Sequence, residues 1–182
     1  ARDLVTGTLT WVESEQNGIN DPGDAGAAVA GLDGVEHLAI SPDGAHLYTF
    51  AGGAGTIARF DRDTATGRLN WREVRSGSDL AVALDGASAA TFDASGEHLY
   101  VVASNANRIV VLGRRTSPSA GNYGELRLLS SVAQDVGGTL GLLSPRRAAL
   151  SADGAHLYVT AQAGNSVAWF GRDPLDGDLR YL

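Results

Sequence analysis

Glu36 and His37 are neighbours, and a carboxylate beside an imidazole is a pairing that can move protons or seat an anion. Arg146 and Arg147 follow Ser144 and Pro145 and offer forked donors suited to a carboxylate or a phosphate. The competing use of either arginine is an ion pair with Glu36 or with a loop aspartate. Aspartates gather at Asp21 and Asp24, at Asp61 and Asp63, and at Asp173, Asp176 and Asp178. Calcium takes about six to eight converging oxygens, and no run here has EF-hand spacing. Asp173, Asp176 and Asp178 are therefore weak metal candidates beside their ordinary use as turn residues, and no other cofactor is expected. His46, His98 and His156 recur in one register and read as half-exposed residues beside turns, not as a ligand ring. A Gly-x-Ser-x-Gly elbow, a phosphate-cradling glycine loop and a cysteine nucleophile are all missing from the sequence.

The composition narrows what those residues can serve. The chain is 43% hydrophobic and 19% charged, a globular balance. Its net charge is −7, and every one of its cations is arginine. Nucleic-acid binding and a polybasic membrane surface both need clustered positive charge, so neither partner is expected. No apolar run reaches the roughly 18 residues of a membrane span, so no membrane insertion is expected. With no cysteine, disulfides and thiolate metal sites are excluded, and nothing opposes an extracellular or cell-envelope (periplasmic) location.

The elements that position these residues repeat. Residues 34–48, 86–100 and 144–158 superimpose: each has a short apolar run, a four-residue turn and then His-Leu-Tyr. The turns Ser41-Pro42-Asp43-Gly44, Asp93-Ala94-Ser95-Gly96 and Ser151-Ala152-Asp153-Gly154 end in the glycine that closes a type I turn into a bulged hairpin. Two more strand-like runs follow each hairpin, at 56–60 and 68–74, 108–112 and 125–129, and 166–170 and 178–182. All are short, rich in β-branched or aromatic residues and bounded by Gly, Asp, Asn or Pro. The inner runs are apolar on both faces, as sheets stacked between neighbours must be. No window keeps a 3.6-residue apolar period.

The expected fold is all-β: a β-propeller of three four-stranded antiparallel blades (34–74, 86–132 and 144–182). Residues 1–13 match residues 60–73 and read as the outer strand of a preceding blade. Propellers close with about four to eight blades, so three form an open segment of a larger ring of about six to eight. The uncovered faces call for the missing blades of a longer chain or for other copies of this one. The long connections 14–34, 75–84 and 133–143 read as spacers on an acidic, amide-rich face.

Ala39-Ile-Ser-Pro-Asp-Gly44, Leu47-Tyr48, Ile57-Ala-Arg-Phe60 and Arg62-Asp-Thr-Ala-Thr-Gly-Arg-Leu69 resemble the blade signature of the lactonase-type (6-phosphogluconolactonase-like) bacterial β-propellers. Leu99-Tyr-Val101 and Leu157-Tyr-Val159 repeat part of it. The resemblance covers almost the whole chain. It implies that the residues opening each inner strand face a central channel: Glu36 and His37 in the first blade, Arg146 and Arg147 in the third. Ser88 and Ala89 depart from that pattern in the second.

Two functions follow. The preferred expectation is a non-catalytic binding or assembly module of a bacterial extracellular or envelope protein. The alternative is a lactonase-type hydrolase with a channel-mouth site, in which Glu36 and His37 move protons and Arg146 and Arg147 bind the substrate.

Overall fold

A computed structural model describes residues 1–20 and 27–182. Twelve strands in chain order make three four-stranded antiparallel sheets, each running from its first strand to its fourth. The first sheet is β1 (Val35–Ile40), β2 (His46–Ala51), β3 (Thr56–Arg62) and β4 (Leu69–Ser76). The second is β5 (Ala87–Phe92), β6 (His98–Ala103), β7 (Arg108–Arg114) and β8 (Leu126–Ala133). The third is β9 (Pro145–Leu150), β10 (His156–Ala161), β11 (Ser166–Arg172) and β12 (Leu179–Tyr181). No helix occurs among the described residues. Residues 1–13 form no ladder: one bridge, Arg2 to Leu9, closes a turn around Asp3. A fourth strand takes its hydrogen bonds from the third strand of its own sheet, and no such partner lies beside this segment among the described residues.

Each hairpin forms as its turn dictates. The amides of Gly44, Gly96 and Gly154 donate to Ser41, Asp93 and Ser151 at 2.8, 3.1 and 2.9 Å. Their φ values of 70°, 71° and 69° demand glycine. This sets the register in which β2, β6 and β10 each begin at a histidine.

Period-2 alternation then sorts the side chains. Leu99, Val101, Val110 and Leu112 of the second sheet pack towards Tyr48, Phe50 and Ile57 of the first. The intervening Tyr100, Ile109 and Val111 pack towards Leu157, Val159 and Phe170 of the third. The second sheet is thus buried on both faces, whereas the outer sheets each leave one face open. The connections between sheets are more than spacers. Leu80, Val82 and Leu84 plug the first junction, Leu142 the second, and Val29 covers Ala58 and Phe60 on the open face of the first sheet.

An arginine clasp repeats at both junctions. Arg114, the last residue of β7, has only 1% of its side chain exposed and reaches back into the first hairpin. Its Nη2 donates to Asp43 Oδ2 at 2.6 Å and to His46 Nδ1 at 2.7 Å, and its Nε to the Tyr48 hydroxyl at 3.2 Å. Tyr48 in turn donates to the Gly124 carbonyl at 2.5 Å. Arg172, the last residue of β11, repeats this on the second hairpin, with Asp93 at 2.6 Å and Tyr100 at 2.5 Å. Tyr100 donates to the Gly177 carbonyl at 2.9 Å. A Cβ at Gly124 or Gly177 would collide with the ring of His46 or His98, so these two contacts need glycine.

Two of the three histidines read as half-exposed are therefore buried: His46 is 2% and His98 5% exposed, because each lies beneath the next sheet's arginine, while His156 is half-exposed as read. The hairpins also trade residues. The first has Ser41 donating to Asp43, and the second has Ser95 donating to Asp93, so carboxylate and hydroxyl exchange places in the turn. Both arginines find the carboxylate.

Burial favours a protonated Asp43, but donors from Ser41, Arg114, the Ala45 amide and Tyr123 outweigh it and hold the carboxyl well below the usual carboxylate range. Burial first, and then the Arg114 cation, push the His46 imidazole from 6.5 down to about 4. A guanidinium only donates, so His46 Nδ1 accepts and the neutral ring carries its hydrogen on Nε2.

Two outcomes follow from this junction. Arg114→Ala takes the shared donor from Asp43, His46 and Tyr48 and should lower unfolding free energy in urea by about 1.5–3 kcal/mol, with Arg114→Lys recovering only part because it lacks the fork. His46 has a depressed folded pKa, so its contribution is complete above pH 6.5 and is lost as pH falls towards 4. On the order of 3 kcal/mol should disappear across that window. His46→Gln should show a shallower decline in urea midpoints over the same range.

Candidate active site at the inner rim

The first strands β1, β5 and β9 lie side by side at the inner ends of their sheets. The pairing of each with its own second strand shifts register at its start, between Val35 and His37, between Ala87 and Ala89, and opposite Ala161. Those irregular starts are where the chemically capable residues sit.

His37 is half-buried and leaves its own sheet: its Nε2 lies 3.1 Å from the Ala90 carbonyl of β5. Its ring also packs at 5.8 Å from that of Phe50. A carbonyl only accepts, so Nε2 carries the hydrogen, and in the neutral ring Nδ1 keeps its lone pair. From the other side, Arg147 Nη1 donates to the Ser88 carbonyl of β5 at 3.2 Å and to the Arg146 carbonyl at 2.9 Å. Ser88 and Ala90 are two residues apart, roughly 7 Å along a strand. An imidazole from the first sheet and a guanidinium from the third therefore meet the same short stretch of the second. Arg146 is exposed, and its Nε donates to Gln162 Oε1 at 2.9 Å. Glu36 is exposed and makes no hydrogen bond or ion pair among the described residues.

Neither arginine pairs with Glu36 or with a loop aspartate. The rim thus presents a cationic fork, an exposed carboxylate and a basic ring nitrogen. That set can accept a proton from water and offset negative charge on an oxygen.

The aspartate runs do other work. Asp173 accepts the Leu175 amide at 2.9 Å, and Asp176 accepts the Asp178 amide at 2.9 Å, so both close their own turn. Asp3 and Asp63 cap equivalent turns in the same manner. Asp61 pairs with Arg72 at 2.7 Å. No group of three or more His, Cys, Asp or Glu among the described residues is placed to hold a metal ion. Asp21 and Asp24 lie outside the described residues.

Sequence reasoning passed over Arg114 and Arg172, although the signal was present. Arg62, Arg114 and Arg172 all end the third strand of their sheet.

The family model described as Lactonase, 7-bladed beta-propeller, matches residues 1–182. No curated protein matches the chain. The fold is similar to that of a putative 6-phosphogluconolactonase from Bacteroides uniformis ATCC 8492. The two share 19% identity with a TM-score of 0.68, over 85% of this chain and 40% of that one. It is also similar to the periplasmic gluconolactonase of Pseudomonas aeruginosa, at 27% identity and a TM-score of 0.64, over 80% of this chain and 38% of that one. A protein from Lactobacillus plantarum aligns at 24% identity and a TM-score of 0.68, over 86% and 42% of the two chains. The chain thus spans about 40% of the length of the structures it resembles.

The hydrogen bonds fix the proton positions on two rings. Nitrogen-15 NMR should find His37 and His46 as Nε2–H tautomers. His98 Nδ1 lies 2.8 Å from Asp93 Oδ2, which needs a donor, and 3.1 Å from Arg172 Nη2, which needs an acceptor, so its contacts select neither form. An Nδ1–H form of either His37 or His46 would contradict the contacts described.

Proposed function

The chain belongs to the seven-bladed lactonase β-propeller family, and on that premise we propose that it supplies three blades and one sector of the channel mouth to a hydrolase of sugar-acid lactones. One observation carries the reading: His37 and Arg147 reach from different sheets to carbonyls two residues apart on β5. A base and a cation are thereby held on a common rim, fixed by backbone acceptors.

In this reading water adds to the lactone carbonyl, and His37 Nδ1 takes the proton that the water loses. The guanidinium groups of Arg146 and Arg147 face the negative charge that gathers on the carbonyl oxygen. The ring C–O bond then breaks, the ring oxygen leaves as a hydroxyl carrying a returned proton, and the product is the open hydroxy acid. Exposed Glu36 stands beside His37 in sequence, a second carboxylate–proton partner at the rim. The likeness to the periplasmic gluconolactonase of Pseudomonas aeruginosa supports both the substrate class and an envelope location.

A second reading keeps the rim as a non-catalytic binding surface. It is favoured by Ser88 and Ala89, which leave the middle sheet without an ionisable side chain there.

Lactone consumption above the spontaneous rate separates the two. In the complete seven-bladed protein, with D-glucono-δ-lactone and its 6-phosphate as probes, His37→Gln should lower the catalysed rate by about 100-fold. Arg147→Ala should lower kcat by about 100-fold, and both variants should keep the parent melting temperature. A His37→Gln protein with the parent rate would reject the hydrolase role for this rim.

A further inference from the structure

At the first junction a carboxylate faces the free edge of the clasp histidine. Asp61 stands across from His46 in the register of β2 and β3. Its Oδ1 lies 3.7 Å from His46 Nε2 and 3.5 Å from Arg59 Nη1, and its Oδ2 accepts Arg72 Nε at 2.7 Å. One acid thus answers an imidazole and two guanidinium groups.

The second junction repeats the histidine without the acid. Gly113 holds the position across from His98. His98 is buried, yet its Nε2 makes no hydrogen bond among the described residues. Where Asp61 fills the first seam, Gly113 leaves a cavity of about 380 Å³ that His98 lines. Arg127 stands directly opposite Gly113 on β8, so its stem rises roughly 4.5–5.5 Å from the space a side chain at 113 would take. Arg115 lines the same cavity, and Leu129 and Leu175 give it an apolar wall. Arg115 and Arg127 are exposed, and neither guanidinium makes an ion pair or a hydrogen bond among the described residues. Glu97, also exposed, is the single acid among the described residues of the lining, so two cations face one anion there. The walls come from the second and third sheets, neighbours inside the chain, and the cavity therefore persists when further blades close a ring.

We propose that this cavity binds a small carboxylic acid anion, whose carboxylate takes the place that Asp61 takes in the first seam. One carboxylate oxygen accepts from His98 Nε2 and the other from the Arg127 guanidinium, with Arg115 adding positive charge. The bound anion requires a hydrogen on Nε2. It thereby decides a ring whose contacts at Nδ1 select neither form. Leu129 and Leu175 meet the short carbon chain behind the carboxylate, and the volume lies at the small end for ligand pockets. The site stands among the outer strands, apart from His37 and Arg147 at the inner rim.

Nitrogen-15 labelling of the histidines in the complete seven-bladed protein tests this without reference to lactone turnover. Loss of a signal in His98→Gln identifies the His98 ring. Sodium butyrate, titrated against sodium chloride at equal ionic strength, should drive His98 Nε2 to its N–H position and saturate. Arg127→Ala should raise the half-saturating concentration more than tenfold, and Arg127→Lys should recover part of the loss. Gly113→Asp should show the shifted signal without butyrate and respond no further. A Cβ at 113 meets the Leu129 side chain at 3.2 Å, so circular dichroism checks that variant, and Arg127→Ala decides alone if it does not fold. A shift that chloride reproduces, one that never saturates, or an Arg127→Ala protein with the parent response overturns the proposal.

Discussion

Each junction between sheets turns on a guanidinium withdrawn from water. Arg114 and Arg172 are almost completely enclosed, which carries a desolvation cost of several kcal/mol unless every donor finds an acceptor in the right plane. Both find a carboxylate, a tyrosine hydroxyl and a backbone carbonyl, and those acceptors belong to two successive sheets. The fork is rigid, so meeting all of its acceptors fixes the position of one sheet against the next more tightly than apolar stacking alone. The order of β1, β5 and β9 at the inner rim follows from that angle. So does the ability of His37 and Arg147 to reach a strand that is not their own.

Apolar packing supplies the bulk of the adhesion and tolerates more variation. The middle sheet alternates strictly, one set of side chains towards each neighbour, while the connecting segments push Leu84 and Leu142 into the seams. A polar clasp set beside a greasy seam divides the labour: the seam drives association and the clasp specifies its geometry.

The hairpins, their closing glycines and the three-sheet order were legible because turn chemistry and period-2 alternation are local. Ser41 to Gly44 alone announces its turn. The rim positions of Glu36, His37, Arg146 and Arg147 were legible only as places. Nothing in the sequence says that His37 and Arg147 bond to backbone carbonyls, since any residue at Ser88 or Ala90 supplies the same acceptor. The clasp escaped for a different reason. Arg114 sits more than sixty residues after Asp43, and an arginine beside a second arginine reads as surface until the fold buries it. His46 and His98 were misjudged with it, because their exposure depends on a side chain from the following blade. Leu142 and Val29 look like loop residues, and their burial is likewise decided by what stacks on them.

The exchange between Ser41 with Asp43 and Asp93 with Ser95 bears on how such a chain can diverge. A repeat copied by duplication drifts column by column, and a column that must stay acidic would ordinarily constrain every copy. Here the arginine responds to the field of a carboxylate held near the turn's mouth, from whichever of two sites it comes. Mutation can therefore move the acid across the turn through an intermediate that carries both, with the junction intact throughout. Aligned copies then show neither column as invariant, although the charge itself never left.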